Sequence, residues 1–147
     1  MRWADLLLAA GCALALPLSA QRRPAGAIAA GQTVHGRLKK SDLLLPRDSS
    51  YAQEWVIDAT AGQVVTIDLA SDSLDPYVIV YGPGLGSDLQ DDDSGGNCNA
   101  RLTLRFPQSG AYHIAVTSSE KRQVGPFTLS VAIGAKPKAL SRCRRNR

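Results

Sequence analysis

The chain has 147 residues and a formal charge of +4, enough for one domain whose core needs no dense cross-linking. The positive charge is a poor guide to partners. Setting aside Arg2 and Asp5 leaves 16 basic and 12 acidic residues, and six of those 16 fall after residue 134, so residues 21–134 carry a net charge of −2. No basic stripe with interleaved aromatics runs through them, which excludes a nucleic-acid face.

Residues 1–20 read as a secretory signal peptide. Arg2 supplies the leading positive charge. An apolar run follows from Leu6 to Leu16, interrupted only by Gly11 and Cys12, and Leu18-Ser19-Ala20 places small residues before a cut ahead of Gln21. The run is shorter than the roughly 20 apolar residues that span a bilayer, so no transmembrane segment is expected. Ala9-Ala10-Gly11-Cys12 offers an alternative cut, with Cys12 lipidated, but the apolar run continues past it. Export leads to the periplasm or beyond. Two cysteines then remain, Cys98 in a Gly/Asn loop and Cys143 near the C-terminus. In an oxidising compartment such a pair is expected to form a disulfide.

Residues 21–30 read as a linker. From residue 31 to 134 the hydrophobic pattern has period two, with turn residues every eight to twelve positions, the rhythm of a sandwich or barrel. Strands are expected over residues 32–38 and 51–58, the latter with Trp55 and Ile57 on one face and Glu54, Val56 and Asp58 on the other. Thr60-Ala61-Gly62-Gln63 turns the chain into a strand whose Val65, Ile67 and Leu69 point inward. Asp75-Pro76 leads into residues 77–81, which lack a polar face and so suit a strand that is central or covered on both sides. After the glycine-rich turn at residues 82–86, three more strands are marked by Leu102, Leu104 and Phe106, by Tyr112, Ile114 and Val116, and by Phe127, Leu129, Val131 and Ile133. No stretch after residue 20 has a helical period. About eight strands without a helix predict an all-β antiparallel sandwich, followed by a basic tail over residues 135–147.

Five motifs fall in a characteristic order: Ala61-Gly62-Gln63, Leu74-Asp75-Pro76-Tyr77, Asp91-Asp92-Asp93-Ser94-Gly95, Ser109-Gly110-Ala111-Tyr112 and Gly125-Pro126-Phe127. Together they resemble the bacterial pre-peptidase C-terminal domain over about residues 28–133. The resemblance implies a jelly-roll-like β-sandwich, usually appended to a secreted peptidase and not itself catalytic. No peptidase accompanies it in this chain. Independently of the family, Gly62 and Gly110 stand where tight turns favour positive φ. Tyr112 is placed to bury its ring while its hydroxyl reaches the backbone near the turn.

Several residue groups carry potential chemistry. Asp93-Ser94-Gly95-Gly96 resembles the nucleophile loop of chymotrypsin-like proteases, but a triad also needs a base and an orienting acid. The chain has two histidines, His35 and His113, and His113 alternates with core residues and therefore faces outward. Asp72, Asp75, Asp91, Asp92 and Asp93, with Asp88 nearby, gather the hard oxygen ligands that Ca²⁺ takes. The pattern fails as an EF-hand, since Gly95 and Leu102 replace acids, so a calcium site must be built from two loops. The alternative is an Asp-rich turn capping backbone amides. Zinc lacks ligands at the right spacing. Tyr51, Trp55, Tyr77 and Tyr81 are candidates for a sugar platform, against the ordinary role of strand aromatics in a core.

These observations favour a non-catalytic exported domain that binds a protein, a polysaccharide or an envelope surface. A helper for a separately encoded secreted peptidase is the alternative, and a hydrolase is the residual possibility. The basic tail is either a solvated end or a contact for anionic surfaces.

Overall fold

The period-two pattern resolves into ten strands: β1 (Gly26–Ala27), β2 (Thr33–Leu38), β3 (Leu43–Leu44), β4 (Tyr51–Ala59), β5 (Val64–Ala70), β6 (Pro76–Tyr81), β7 (Leu89–Asp91), β8 (Ala100–Arg105), β9 (Gly110–Ser118) and β10 (Gly125–Ile133). The computed structural model describes residues 23–139 and 141–143, so the signal peptide and Cys12 lie outside the described residues. No helix occurs among the described residues, and none is therefore long and apolar enough to cross a membrane.

One sheet has six strands, ordered β1-β4-β9-β6-β7 with β3 also paired to β4, and the other has four, ordered β2-β10-β5-β8. The fold is an all-β sandwich. The chain changes sheet between β4 and β5, between β5 and β6, and at every connection from β7 to β10, so successive strands are rarely neighbours. Alternation sends one set of side chains from each sheet into a shared core: Ile57, Ile67, Leu69, Val78, Val80, Leu104, Ile114, Leu129 and Val131 are all buried there. The two turn glycines behave as expected, with φ of +84° at Gly62 and +147° at Gly110.

Within the linker expected over residues 21–30, the structure corrects the described part, residues 23–30. Gly26 and Ala27 pair in parallel with Trp55 and Val56, and Ile28 is 3% exposed within the core. Two further bonds fix the segment, from Ala25 N–H to Glu54 O at 2.6 Å and from Ile28 N–H to Val56 O at 2.9 Å. A two-residue parallel strand has no room for alternation, which hid it in the sequence. Close approach also requires Gly26, where a Cβ would stand 2.6 Å from the Trp55 ring.

The C-terminal segment is a second difference, because residues 134–139 are not a free solvated end. Thr66 points to the outer face of its sheet, yet it is fully buried because this segment lies over it. Its Oγ1 donates to Gly134 O and accepts from Lys136 N–H, both at 2.9 Å. Lys136 Nζ lies 3.1 Å from Asp68, whose other oxygen is 2.6 Å from Arg101 Nε, and Arg101 also donates to Pro137 O. Ala139 N–H donates to Ser94 O at 2.8 Å, and the expected disulfide joins Cys98 to Cys143. Arg144, Arg145 and Arg147 lie outside the described residues. Substituting Thr66→Val keeps the volume and removes the hydroxyl. The expected cost is ~1 kcal/mol, with faster amide hydrogen exchange at Lys136 as the local signature.

Candidate functional site

The strand between β9 and β7 is β6, and its outward residues, Tyr77, Ile79 and Tyr81, are only half covered. Register decides what stands beside them. Ala115 of β9 lies opposite both Glu54 of β4 and Ile79 of β6, while His113 lies opposite Val56 and Tyr81. Ala115 is the small residue in its row, so the surface dips there. The segment through β3 raises a wall of Leu43, Leu44 and Leu45 beside the dip. Asp42 holds that wall, accepting from Lys39 N–H at 2.7 Å and from Gln53 Nε2 at 2.9 Å. The result is a groove of about 840 Å³ across β4, β9 and β6, with Arg23, Glu54, Tyr81 and Asp88 among its polar lining.

Glu54 is held by two side chains in the groove. Its Oε1 lies 2.8 Å from His113 Nδ1, and its Oε2 accepts the Tyr81 hydroxyl. The rings of Tyr81 and His113 stack with centroids 5.0 Å apart and planes 6° from parallel. Burial pushes the Tyr81 phenol above its ordinary range, and the hydrogen bond to Glu54 and the charges of Glu54 and Asp88 push the same way. The phenol is therefore a fixed donor at neutral pH, and the carboxylate it serves is held in one orientation. Glu54 and His113 remain about one-third exposed, so the site can meet a partner from solution.

The acidic loop behaves differently. Asp91 Oδ2 accepts from the backbone N–H groups of Ser94 and Arg101, each at 2.9 Å, and Oδ1 accepts the Ser94 hydroxyl at 2.5 Å. Such an Asx cap is the alternative weighed for this loop. Asp75 lies in another network, its N–H donating to Gln123 Oε1 and its carbonyl accepting from Ser119 N–H. Asp72, Asp92 and Asp93 are exposed. Among the described residues, the one trio of potential ligand atoms within 4.8 Å of one another is Asp93, Cys98 and Cys143. Those sulfurs are joined to each other, so they offer no thiolate. No three of the five aspartates expected to hold calcium share such a point.

Ser94 has no base. Its hydroxyl donates to Asp91, whereas His35 Nδ1 is 3.2 Å from Thr128 Oγ1 and His113 is engaged with Glu54. The four aromatics do not form one platform either. Tyr77 and Tyr81 share the outer face of β6, but Trp55 lies on the inward side of β4, packed against the core. Cys98 sits in a tight turn in which Asn97 and Cys98 both have positive φ, +53° and +61°, and Gly96 and Asn99 close the bridge. That is the two-residue hairpin geometry usually given to Asn-Gly.

Sequence reading identified His113 and Glu54 as outward-facing but did not join them. They are 59 positions apart, and Tyr81 lies on a third strand. Only the register places them together.

No family model and no curated protein matches the chain. Solved structures do. The pre-peptidase C-terminal domain of a collagenase from Bacillus anthracis superposes with a TM-score of 0.53 at 13% identity, covering 75% of this chain and 97% of that one. This chain shares its fold. A second likeness is to Salmonella Typhimurium PliG, a periplasmic inhibitor of g-type lysozyme, with a TM-score of 0.51 at 16% identity over 74% of this chain and 98% of that one. The pre-peptidase C-terminal fold thus extends over three-quarters of the chain, as the order of the five motifs implied.

Proposed function

We propose that the chain is an exported, non-catalytic accessory domain that binds a protein through the outer face of its six-stranded sheet. What carries the reading is the groove over Ala115, lined by apolar residues and by the oriented carboxylate of Glu54. Concave, largely apolar sites with a few fixed polar groups are the usual form of a recognition site. The Ser94 hydroxyl is engaged by Asp91 and pairs with neither histidine, which supports binding over hydrolysis. Export rests on the signal-peptide pattern of residues 1–20 and the paired cysteines, and the periplasmic inhibitor that shares the fold supports the same compartment.

Two partners follow from the two likenesses. A lysozyme of the g-type is the first probe, and a secreted peptidase is the second, favoured by the collagenase domain. Substituting Ala115→Trp fills the groove from its floor without entering the core. Titration calorimetry is expected to show one of these enzymes binding the unaltered chain and at least tenfold weaker binding by the variant. Absence of binding to either enzyme, or binding indifferent to Ala115→Trp, overturns the assignment. For export, mass spectrometry of the periplasmic fraction is expected to find the chain beginning at Gln21.

A further inference from the structure

We infer that the groove receives a basic side chain flanked on the same face by apolar ones, so that the partner presents an extended segment of the type Leu-x-Arg-x-Leu, in which alternate side chains share a face. This rests on the reading of the groove as a protein-binding site and goes further by naming the chemistry of the bound segment. Leu43 and Ile79 supply apolar contact on either side of the Ala115 floor. Asp42 is engaged by Lys39 N–H and Gln53 in the wall, so Glu54 and Asp88 supply the negative charge open to a partner, and Arg23 is the one full cation among the described lining residues. Neither carboxylate is neutralised by a lysine or arginine within 4.0 Å among the described residues. Glu54 faces a histidine, and Asp88 is in no such pair.

The carboxylate of Glu54 has about four acceptor positions, of which the phenol and the imidazole occupy two. The remainder suit a guanidinium, which delivers paired donors in a plane. Charge also decides against other occupants. An apolar segment covering the groove would strip water from Glu54 and Asp88 without replacing it, and an acidic one would add repulsion. A cation between two leucines satisfies both walls and floor.

The test uses capped pentapeptides titrated into the ¹⁵N-labelled chain and followed by amide chemical shifts. Acetyl-Leu-Ala-Arg-Ala-Leu-amide is expected to move the signals of Glu54, Ile79 and Ala115 and to bind at least tenfold more tightly than its counterparts with Gln or Glu in place of Arg. Raising salt from 50 to 500 mM is expected to weaken it several-fold, since the groove is open to solvent. Glu54→Gln is expected to cost about tenfold in its affinity. Asp88→Asn, at an exposed position just before β7, is expected to cost about threefold. Equal binding of the three peptides, shifts that map elsewhere, or a response to chitotriose in place of the arginine peptide overturns the inference. If an enzyme partner is lost with Ala115→Trp while no preference for arginine appears, the protein-binding reading stands and the cation falls.

Discussion

Replacing Cys98 and Cys143 together by alanine is expected to lower the unfolding free energy by about 4 kcal/mol. The bond closes a loop with a sequence separation of 45 residues. In the chain-entropy account its effect lies mainly in the unfolded state, which gains conformations once the link is absent. For a domain of this size the corresponding fall in melting temperature is on the order of 15 °C. The same substitution removes the covalent anchor of the segment over β5 and β8. Hydrogen exchange at Lys136 and Ala139 should therefore accelerate more than exchange in β10, which is held by ladders on both sides. A companion variant, Cys98→Gly with Cys143→Ala, isolates the backbone contribution. Because φ at residue 98 is +61°, glycine is expected to be about 1 kcal/mol more stable there than alanine. Urea denaturation of the two variants and of the oxidised chain gives all three numbers. A double-alanine variant within ~1 kcal/mol of the parent would mean that the Thr66, Asp68 and Arg101 contacts already hold the segment, leaving the disulfide redundant.

The long strands were legible because each exposes one face and buries the other. Phe127, Leu129 and Val131 alternate in the sequence and are all buried in β10. Their position in the chain needs no knowledge of their neighbours. Strands β1, β3 and β7 have two, two and three residues. They exist only because β4 and β6 offer an open edge, so no local pattern announces them. Ile28 shows the consequence: an isolated apolar residue in an Ala/Gly/Pro stretch becomes a core residue through pairing with a strand about 30 positions away. The buried Thr66 has the same origin, since its cover comes from residues 134 and 136.

Site residues divide along the same line. Cys98 and Cys143 were legible because cysteine pairs carry their own chemistry. The acidic loop drew attention by composition, but composition does not say where each carboxylate points. Asp91 turns back to its own loop and to Arg101, closing a turn that leads into β8. The groove gave the weakest signal. Glu54, Tyr81, His113 and Ala115 are ordinary outward positions on three strands, and alternation says only that they face out. Their meeting depends on β4 and β6 both flanking β9 in the observed register. A one-residue slip in either pairing would send these side chains to the other face.

Tyr112 is where local sequence and tertiary packing agree most fully, and its loss should be the costliest single substitution proposed for this chain. The side chain is fully buried, with its ring centroid 4.5 Å from that of Phe106. Its hydroxyl lies 2.6 Å from Pro83 O and 2.8 Å from Gln108 O, and it accepts from Gln108 N–H. One residue thus joins the turn after β6 to the turn before β9. Tyr112→Ala removes the ring from a packed core and is expected to cost about 3–5 kcal/mol. Tyr112→Phe keeps the ring and removes only the hydroxyl, taking the one proton shared by two carbonyls and the acceptor of Gln108 N–H, at an expected cost of about 1–3 kcal/mol. Urea denaturation separates the two, and an unchanged m-value is required for the comparison. Amide exchange at Gln108 should quicken in the phenylalanine variant while β10 stays protected. The turn at Pro83 also leads toward Asp88, so a loosened turn should slightly weaken binding of the arginine peptide. A phenylalanine variant as stable as the parent would mean that water replaces the hydroxyl at those carbonyls, and that ring packing alone makes residue 112 necessary.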